Sequence, residues 1–250
     1  MSARLAIVTG TTSGIGEAVA QHLLERGWQV IGIARRDSAI LHESYEHLSV
    51  DLADVESLER DVVPKLDARF SDPELRRVGL VNNAANAGLL GPIANMRIDE
   101  LPAVLATNLV APMWFMGEVV RRTPLTTPLR IVNLSTAAAV RGFAGLGAYG
   151  SSKAGLRMAG LVLAAEIEEA LARGERRNIS ILSFEPGTVD TPMQATARTS
   201  SGDVLPSVDI FVRLAAERRL VPPAAPAADI VAFLESEGEA LLNERRYGVR

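Results

Sequence analysis

Tyr149 and Lys153 stand four residues apart, the spacing that sets two side chains on one face of a helix. A tyrosine hydroxyl can hand a proton to a carbonyl oxygen, but its unperturbed pKa of about 10 is too high for efficient acid–base work near neutrality. Lowering it by about three units corresponds to ~4 kcal/mol. One cation about 4 Å away in a partly buried site supplies roughly that much. The pair by itself has a plainer alternative, a ring with a lysine stem packed along it. Ser135 and Thr136 follow an apolar run, where their hydroxyls suit a hydrogen bond to a substrate oxygen or an ordinary turn. Asn108, taken alone, could be a helix cap. His22, His42 and His47 have neither metal-ligand spacing nor a triad partner and read as surface or helix residues, so no metal is expected. The acids have no paired pattern suited to a hydrolase, and Asp190 reads as capping or orienting the loop before Pro192.

A second chemical signal lies near the N-terminus. After a short apolar run comes Thr9-Gly10-Thr11-Thr12-Ser13-Gly14-Ile15-Gly16, and then a helix begins. A strand, glycine turn and helix in that order aim backbone N–H groups and a helix dipole at whatever sits above, which suits a pyrophosphate. Val30-Ile31-Gly32-Ile33 leads into Ala34-Arg35-Arg36. An acid at this strand end binds a free ribose 2′-hydroxyl, whereas arginine accommodates a 2′-phosphate. Ala34 takes the acid's place and two guanidiniums follow, planar multi-donor forks fitted to phosphate. NADP(H) is therefore the expected dinucleotide.

The elements that must hold these groups alternate. Leu5–Val8, Val30–Ile33, Val78–Val81, Arg130–Leu134 and Ile179–Phe184 read as strands. Glu17–Arg26, Leu58–Phe70, Leu101–Arg122 and Ser151–Ala172 read as helices, with Gly27 a helix stop. Pro102 and Pro112 fall within the third, which should be broken or begin late. The alternation predicts an α/β fold, a doubly wound parallel sheet of the Rossmann type covered on both faces. The 250 residues, 48% hydrophobic, suit one domain spanning 1–250. Residues 191–226 break the rhythm and read as a mobile flap over a site. Leu156, Ala159, Leu163 and Ile167 share one small apolar helix face, expected to meet another copy of the chain, with packing on the sheet as the alternative.

There is no cysteine, which excludes disulfides, cysteine zinc sites and a thiol nucleophile and suits a reducing, cytoplasmic setting. The net charge of −4 gives no basic footprint for nucleic acid or an anionic membrane. The N-terminus, Met1-Ser2-Ala3-Arg4 and then Leu5-Ala6-Ile7-Val8, lacks the apolar length of a signal peptide. No run approaches eighteen uninterrupted apolar residues, so no membrane span is expected.

The glycine spacing resembles that of the short-chain dehydrogenase/reductase family, and the likeness continues in the family's order. Leu80-Val81-Asn82-Asn83-Ala84 is similar to its central strand motif and Thr107-Asn108-Leu109 to its structural asparagine segment. Tyr149-Gly150-Ser151-Ser152-Lys153-Ala154-Gly155 resembles its active-site helix, and Pro186-Gly187-Thr188-Val189-Asp190-Thr191 its nicotinamide loop. Three positions depart from the pattern: Ala85 replaces a glycine, Thr136 stands at the catalytic serine position thirteen before the tyrosine, and the end Tyr247-Gly248-Val249-Arg250 lacks the usual Asp-Gly-Gly. That ending, Gly147-Ala148-Tyr149-Gly150 and Val189-Asp190-Thr191-Pro192-Met193-Gln194 look more like the sepiapterin and benzil reductases.

The resemblance implies Tyr149 as acid/base, Lys153 lowering its pKa and donating to the nicotinamide ribose, Thr136 holding the carbonyl oxygen, and Asn108 positioning a water for proton relay. An oxidised nicotinamide, itself positive, would add to the lysine's effect. It further implies a cofactor site from Gly10, Thr12, Ser13, Gly14, Ile15, Gly16, Arg35, Arg36, Asp51, Leu52, Asn83, Ala84, Pro186, Gly187, Val189 and Thr191, with Asp51 at the adenine edge. The substrate pocket would draw on Met193 to Leu220 and Leu89 to Met96. The expected activity is reduction of a small carbonyl compound, a ketone or dicarbonyl, by a homodimer or homotetramer. A secondary-alcohol dehydrogenase and a non-catalytic dinucleotide sensor are the alternatives.

Overall fold

Apolar runs too continuous to leave a face in water become the middle of a sheet. The computed structural model describes residues 3–88 and 90–249. In it β1 (Ala3–Thr9), β2 (Gln29–Ala34), β3 (Tyr45–Ser49), β4 (Leu75–Asn82), β5 (Leu129–Leu134), β6 (Ile179–Glu185) and β7 (Leu242–Arg246) form one parallel sheet. The order is β3-β2-β1-β4-β5-β6-β7. The chain winds outward from β1 on one side and from β4 on the other, so the order reverses between them. Clefts for ligands open at such a point, beyond the strands' carboxyl ends. Met1, Ser2 and Arg250 of the terminal motifs, and Leu89 of the expected pocket, lie outside the described residues.

Nine α-helical segments follow among the described residues: α1 (Gly14–Glu25), α2 (Val55–Ser57), α3 (Val63–Phe70), α4 (Leu101–Leu105), α5 (Ala111–Arg122), α6 (Gly147–Ala172), α7 (Pro192–Arg198), α8 (Val208–Ala216) and α9 (Ala224–Glu235). One face of the sheet is covered by α1 and α9, whose Val19, Leu23, Ile230 and Leu234 pack with Ala6, Val8 and Trp28. The other is covered by α5 and α6, where Phe115, Val119, Leu156 and Ile167 meet Leu80, Ile131 and Ile181.

The expected break at Pro112 takes a specific form. A wider π turn, Ala106–Val110, joins α4 to α5, so the ring that would strike the carbonyl four residues back in a regular helix is accommodated without ending the rod. The whole run Leu101–Arg122 is long and apolar enough to cross a membrane, with a mean hydropathy of 1.4. Its α5 part instead forms core against the sheet, and Glu118, buried, pairs with Arg121 and Arg122.

One other expectation changes. Leu156 and Ile167 are buried and Ala159 and Leu163 pack on the same core, so that face of α6 is the sheet-facing one. Met158 and Val162 are exposed on the opposite side of α6, and Val110 and Met113 are exposed on the neighbouring rod. Residues 191–226 are largely helical, containing α7, α8 and the start of α9. His47 belongs to β3, where Nε2 meets the Arg36 carbonyl at 2.9 Å. Strand β3 ends just before Asp51, where the resemblance implies a third strand, and strand β7 carries too little apolar pattern to have been foreseen.

At the sheet's opposite end, two arginines reach inward. Arg77 donates to the carbonyls of Leu234 (3.1 Å) and Ser236 (3.0 Å). Arg130, 0% exposed, donates from Nε and Nη2 to the same Ser236 carbonyl and from Nη1 to Asn178. Burial and mutual repulsion lower the pKa of Arg130. Glu237 is the carboxylate that pairs with both.

Candidate active site

The ends of β1 and β4 are laced together by one hydroxyl. Thr9 Oγ1 accepts from the backbone N–H groups of Asn83 and Ala84, each at 3.0 Å, and the Asn83 amide donates to the Thr9 carbonyl at 2.9 Å. This lacing holds Asn83 under the glycine turn. Gly10 has φ +76°, and a Cβ there would lie 2.8 Å from Asn83 Nδ2. Gly16 lies behind the turn, where a Cβ would collide with the Gly10 carbonyl and Asn83. Ala85 keeps a negative φ, as its side chain requires.

Above this turn runs a cavity of about 710 Å³. Gly10, Thr12, Ser13, Gly14, Ile15, Arg35, Arg36, Asp51, Leu52, Asn83, Ala84, Thr136, Tyr149, Lys153, Pro186, Gly187, Val189 and Thr191 all line it. Of the residues expected at a site, Gly16 and Asn108 lie behind its wall. Arg36 donates to Thr12 Oγ1 at 3.4 Å, tying the arginine strand end to the glycine turn. The glycine cradle, the arginine end and the Tyr149–Lys153 end thus share one continuous space, and the residues present fit an extended dinucleotide.

Helix α6 begins at Gly147, so Tyr149 lies in its first turn. Lys153 is 2% exposed and donates to the Leu134 carbonyl at 2.8 Å. Burial pushes the Tyr149 phenol up to about 12 and the Lys153 ammonium down to about 8. This reverses the expected lowering of the tyrosine. A cation's attraction competes with the cost of ionising a phenol away from water, and in the cofactor-free site the cost prevails. Thr136 caps the short turn Ala137–Ala139, its Oγ1 accepting from Ala138 N–H at 3.3 Å. That bond uses a lone pair and leaves the hydroxyl proton free to be donated. Ser135 lines the same cavity.

Asn108, 0% exposed, sits in the π turn and not at a cap. Its Oδ1 accepts from Asn86 N–H at 2.7 Å, while Nδ2 donates to the Asn86 carbonyl (2.8 Å) and to Ser152 Oγ (3.0 Å). Ser152 in turn donates to the Tyr149 carbonyl at 2.7 Å. Sequence reasoning missed Thr9, Asn86 and Ser152 as parts of this framework. Only the serine's place beside Lys153 could have signalled one of them. Thr191, and not Asp190, caps α7, accepting from Gln194 N–H at 3.3 Å.

Past Tyr149 the cavity is walled by Phe143, Leu146, Met193, Ile210, Phe211 and Leu214. No cluster of three His, Cys, Asp or Glu able to hold a metal occurs among the described residues.

Residues 4–202 match the family profile described as short chain dehydrogenase. A benzil reductase ((S)-benzoin forming) of Bacillus cereus is 31% identical over 242 residues, covering 94% of this chain and 95% of the relative. The Bacillus subtilis (strain 168) enzyme of the same description is 30% identical over 250 residues, 98% of each. Among solved structures, a short-chain dehydrogenase/reductase from Saccharomyces cerevisiae superposes with a TM-score of 0.81 at 20% identity, covering 98% of this chain and 96% of that one. An actinorhodin polyketide ketoreductase variant with NADPH gives 0.78 at 24% identity, covering 98% and 95%.

Proposed function

The chain belongs to the short-chain dehydrogenase family of nicotinamide-dependent oxidoreductases, and from that premise we propose that it is an NADP(H)-dependent carbonyl reductase with Tyr149 as proton donor. The observation that carries the reading is the single cavity shared by the glycine cradle, Arg35, Thr136, Tyr149 and Lys153.

A bound reduced nicotinamide supplies a hydride, and the protein supplies the rest. Thr136 donates to the substrate oxygen and fixes its position. Tyr149 gives that oxygen its proton. Without cofactor, burial keeps the phenol protonated, the form from which reduction draws its proton. Lys153 holds the ribose, and Asn108, locked by Asn86 and Ser152, positions a water for resupply of the proton. The presence of both tyrosine and lysine argues against a mere dinucleotide sensor.

NADPH over NADH rests on Ala34 in the acid's place, on Arg35 and Arg36 lining the cavity, and on the fit of guanidinium to phosphate. Asp51 and Leu52 face the adenine. The aromatic and aliphatic wall, together with the benzil reductase relatives, points to a ketone or dicarbonyl flanked by apolar groups. Residues 191–226, with α7 and α8 above the cavity, serve as the flap that admits it. The exposed patch of Val110, Met113, Met158 and Val162 is the seam of a homodimer or homotetramer, and the setting is cytoplasmic. A screen of NADPH oxidation against ketones, α-diketones, quinones and pterins tests the reading. Turnover of at least one class is expected, and inertness towards all four would overturn it.

A further inference from the structure

Gln194 is 7% exposed and lines the cavity. It occupies the third position of α7, where a glutamine behind a threonine cap commonly turns back to the cap's own N–H. In this chain its amide reaches forward instead, donating from Nε2 to the Phe211 carbonyl of α8 at 3.4 Å. Its Oε1 is buried without any partner.

The identity of the orphan atom follows from chemistry. Phe211 offers a carbonyl, an acceptor, so the amide nitrogen must face it and the oxygen must face away. A buried acceptor left unmatched is costly, and such groups in folded proteins usually mark a missing partner. Met193, Ile210, Phe211 and Leu214 of the nearby wall have no side-chain donor, the hydroxyls of Thr191 and Thr196 are spent on the Val189 and Pro192 carbonyls, and Ser207 does not bond to Oε1. As the side chain stands Oε1 is shielded from the cavity that the residue lines, and an N–H or O–H that enters the cavity meets it once the amide turns. The 3.4 Å hold on Phe211 is long for a hydrogen bond, so the amide can turn to meet it.

We propose that Gln194 is a specificity-determining residue that accepts a hydrogen bond from a hydroxyl or N–H carried by the substrate beside its reacting carbonyl. Preferred substrates are then hydroxy ketones and their N–H analogues. This rests on the reductase reading above. A site built to bond a donor discriminates strongly against the analogue lacking it, because its own polar group is left unpaired.

The test uses two near-isosteric ketones, 2-hydroxyacetophenone and propiophenone, with wild type, Gln194→Met and Gln194→Glu. Intrinsic reactivity cancels when the ratio of the two kcat/KM values is compared between proteins. That ratio should fall about 10- to 100-fold in Gln194→Met and stay within about threefold of wild type in Gln194→Glu, which keeps the acceptor and checks that packing is not the cause. NADPH affinity is followed in parallel by nucleotide fluorescence. An unchanged ratio in Gln194→Met overturns the proposal. So does a loss seen wholly in NADPH affinity, which would make the nicotinamide carboxamide the donor. The same two ketones are also titrated calorimetrically into the enzyme–NADP⁺ complex. Tighter binding of the hydroxy compound by wild type only, without turnover, would support Gln194 and overturn the reductase reading. Equal binding throughout would overturn Gln194.

Discussion

Tyr149 and Lys153 are shifted in opposite directions by the same cause, removal from water, and each shift has a measurable consequence. In the cofactor-free protein Lys153 has a folded pKa of about 8 against 10.5 unfolded. Below pH 8 both states bind the proton, and the buried charge costs about 3 kcal/mol. From pH 8 to 10.5 the unfolded chain holds more protons than the folded one, so this penalty is relieved as pH rises. Tyr149, with about 12 folded against 10.0, acts oppositely: between pH 10 and 12 the unfolded chain ionises first and stability falls. Urea melts of wild type and Lys153→Met across pH 7 to 10.5 should converge with rising pH. A constant gap would refute the buried-lysine argument. For catalysis, Tyr149→Phe should lower turnover by about two orders of magnitude or more while NADPH affinity holds. Thr136→Ala should cost roughly 10²-fold in kcat and more than Ser135→Ala, and the reverse ranking would shift the oxygen-binding role to Ser135. Arg35→Ala should raise KM for NADPH about 10- to 150-fold, the equivalent of one charge-assisted bond, with little change for NADH. Equal losses for both nucleotides would remove the phosphate assignment.

Among the elements, the glycine turn and the Tyr-to-Lys helix were legible because their chemistry depends on local spacing. A turn that must expose N–H groups needs glycine, and a helical face repeats every three or four residues. The framework behind them was not legible. Asn108 meets Asn86 and Ser152 only because a π turn rotates one segment of a long rod, and nothing local distinguishes that asparagine from a cap. The face of α6 was assigned to the wrong neighbour for a related reason, since apolar periodicity says that a face is covered and not by what. The phenol's pKa failed similarly, because burial is a tertiary quantity. The tightness of the turn is itself testable. Gly16→Ala brings no backbone strain but drives a methyl into the Gly10 carbonyl and Asn83. Overpacking of this kind typically costs about 1–3 kcal/mol, and α1 would have to withdraw from the cradle. Denaturant melts and NADPH titration should both register the loss, and a variant matching wild type in both would mean the turn is looser than described.

For the whole molecule, the doubly wound sheet follows from strand and helix alternation, and its switch point between β1 and β4 fixes where the cavity opens. Association is the property at this scale most open to test. Val110, Met113, Met158 and Val162 are about half exposed, an apolar patch on adjacent helices and a natural seam between copies. Light scattering should find wild type at a multiple of 26.7 kDa and the Met113→Glu, Val162→Glu double variant at the single mass. A wild-type monomer would dismiss the seam.

The paired arginines at the far end of the sheet bear on how the chain comes off the ribosome. Arg77 belongs to the middle strand β4 and Arg130 to its neighbour β5, yet both donate to carbonyls at Leu234 or Ser236. Helix α9, which packs on α1 and β5, arrives equally late. A nascent chain stalled before residue 234 therefore leaves Arg77 without the two carbonyls that receive it and Arg130 with only Leu129 and Asn178 as acceptors. Parallel sheets already fold slowly because their pairings are distant in sequence. In this chain distance in sequence extends from the backbone pairings to the side chains, since the guanidiniums of β4 and β5 complete their hydrogen bonds only with carbonyls more than a hundred residues further on.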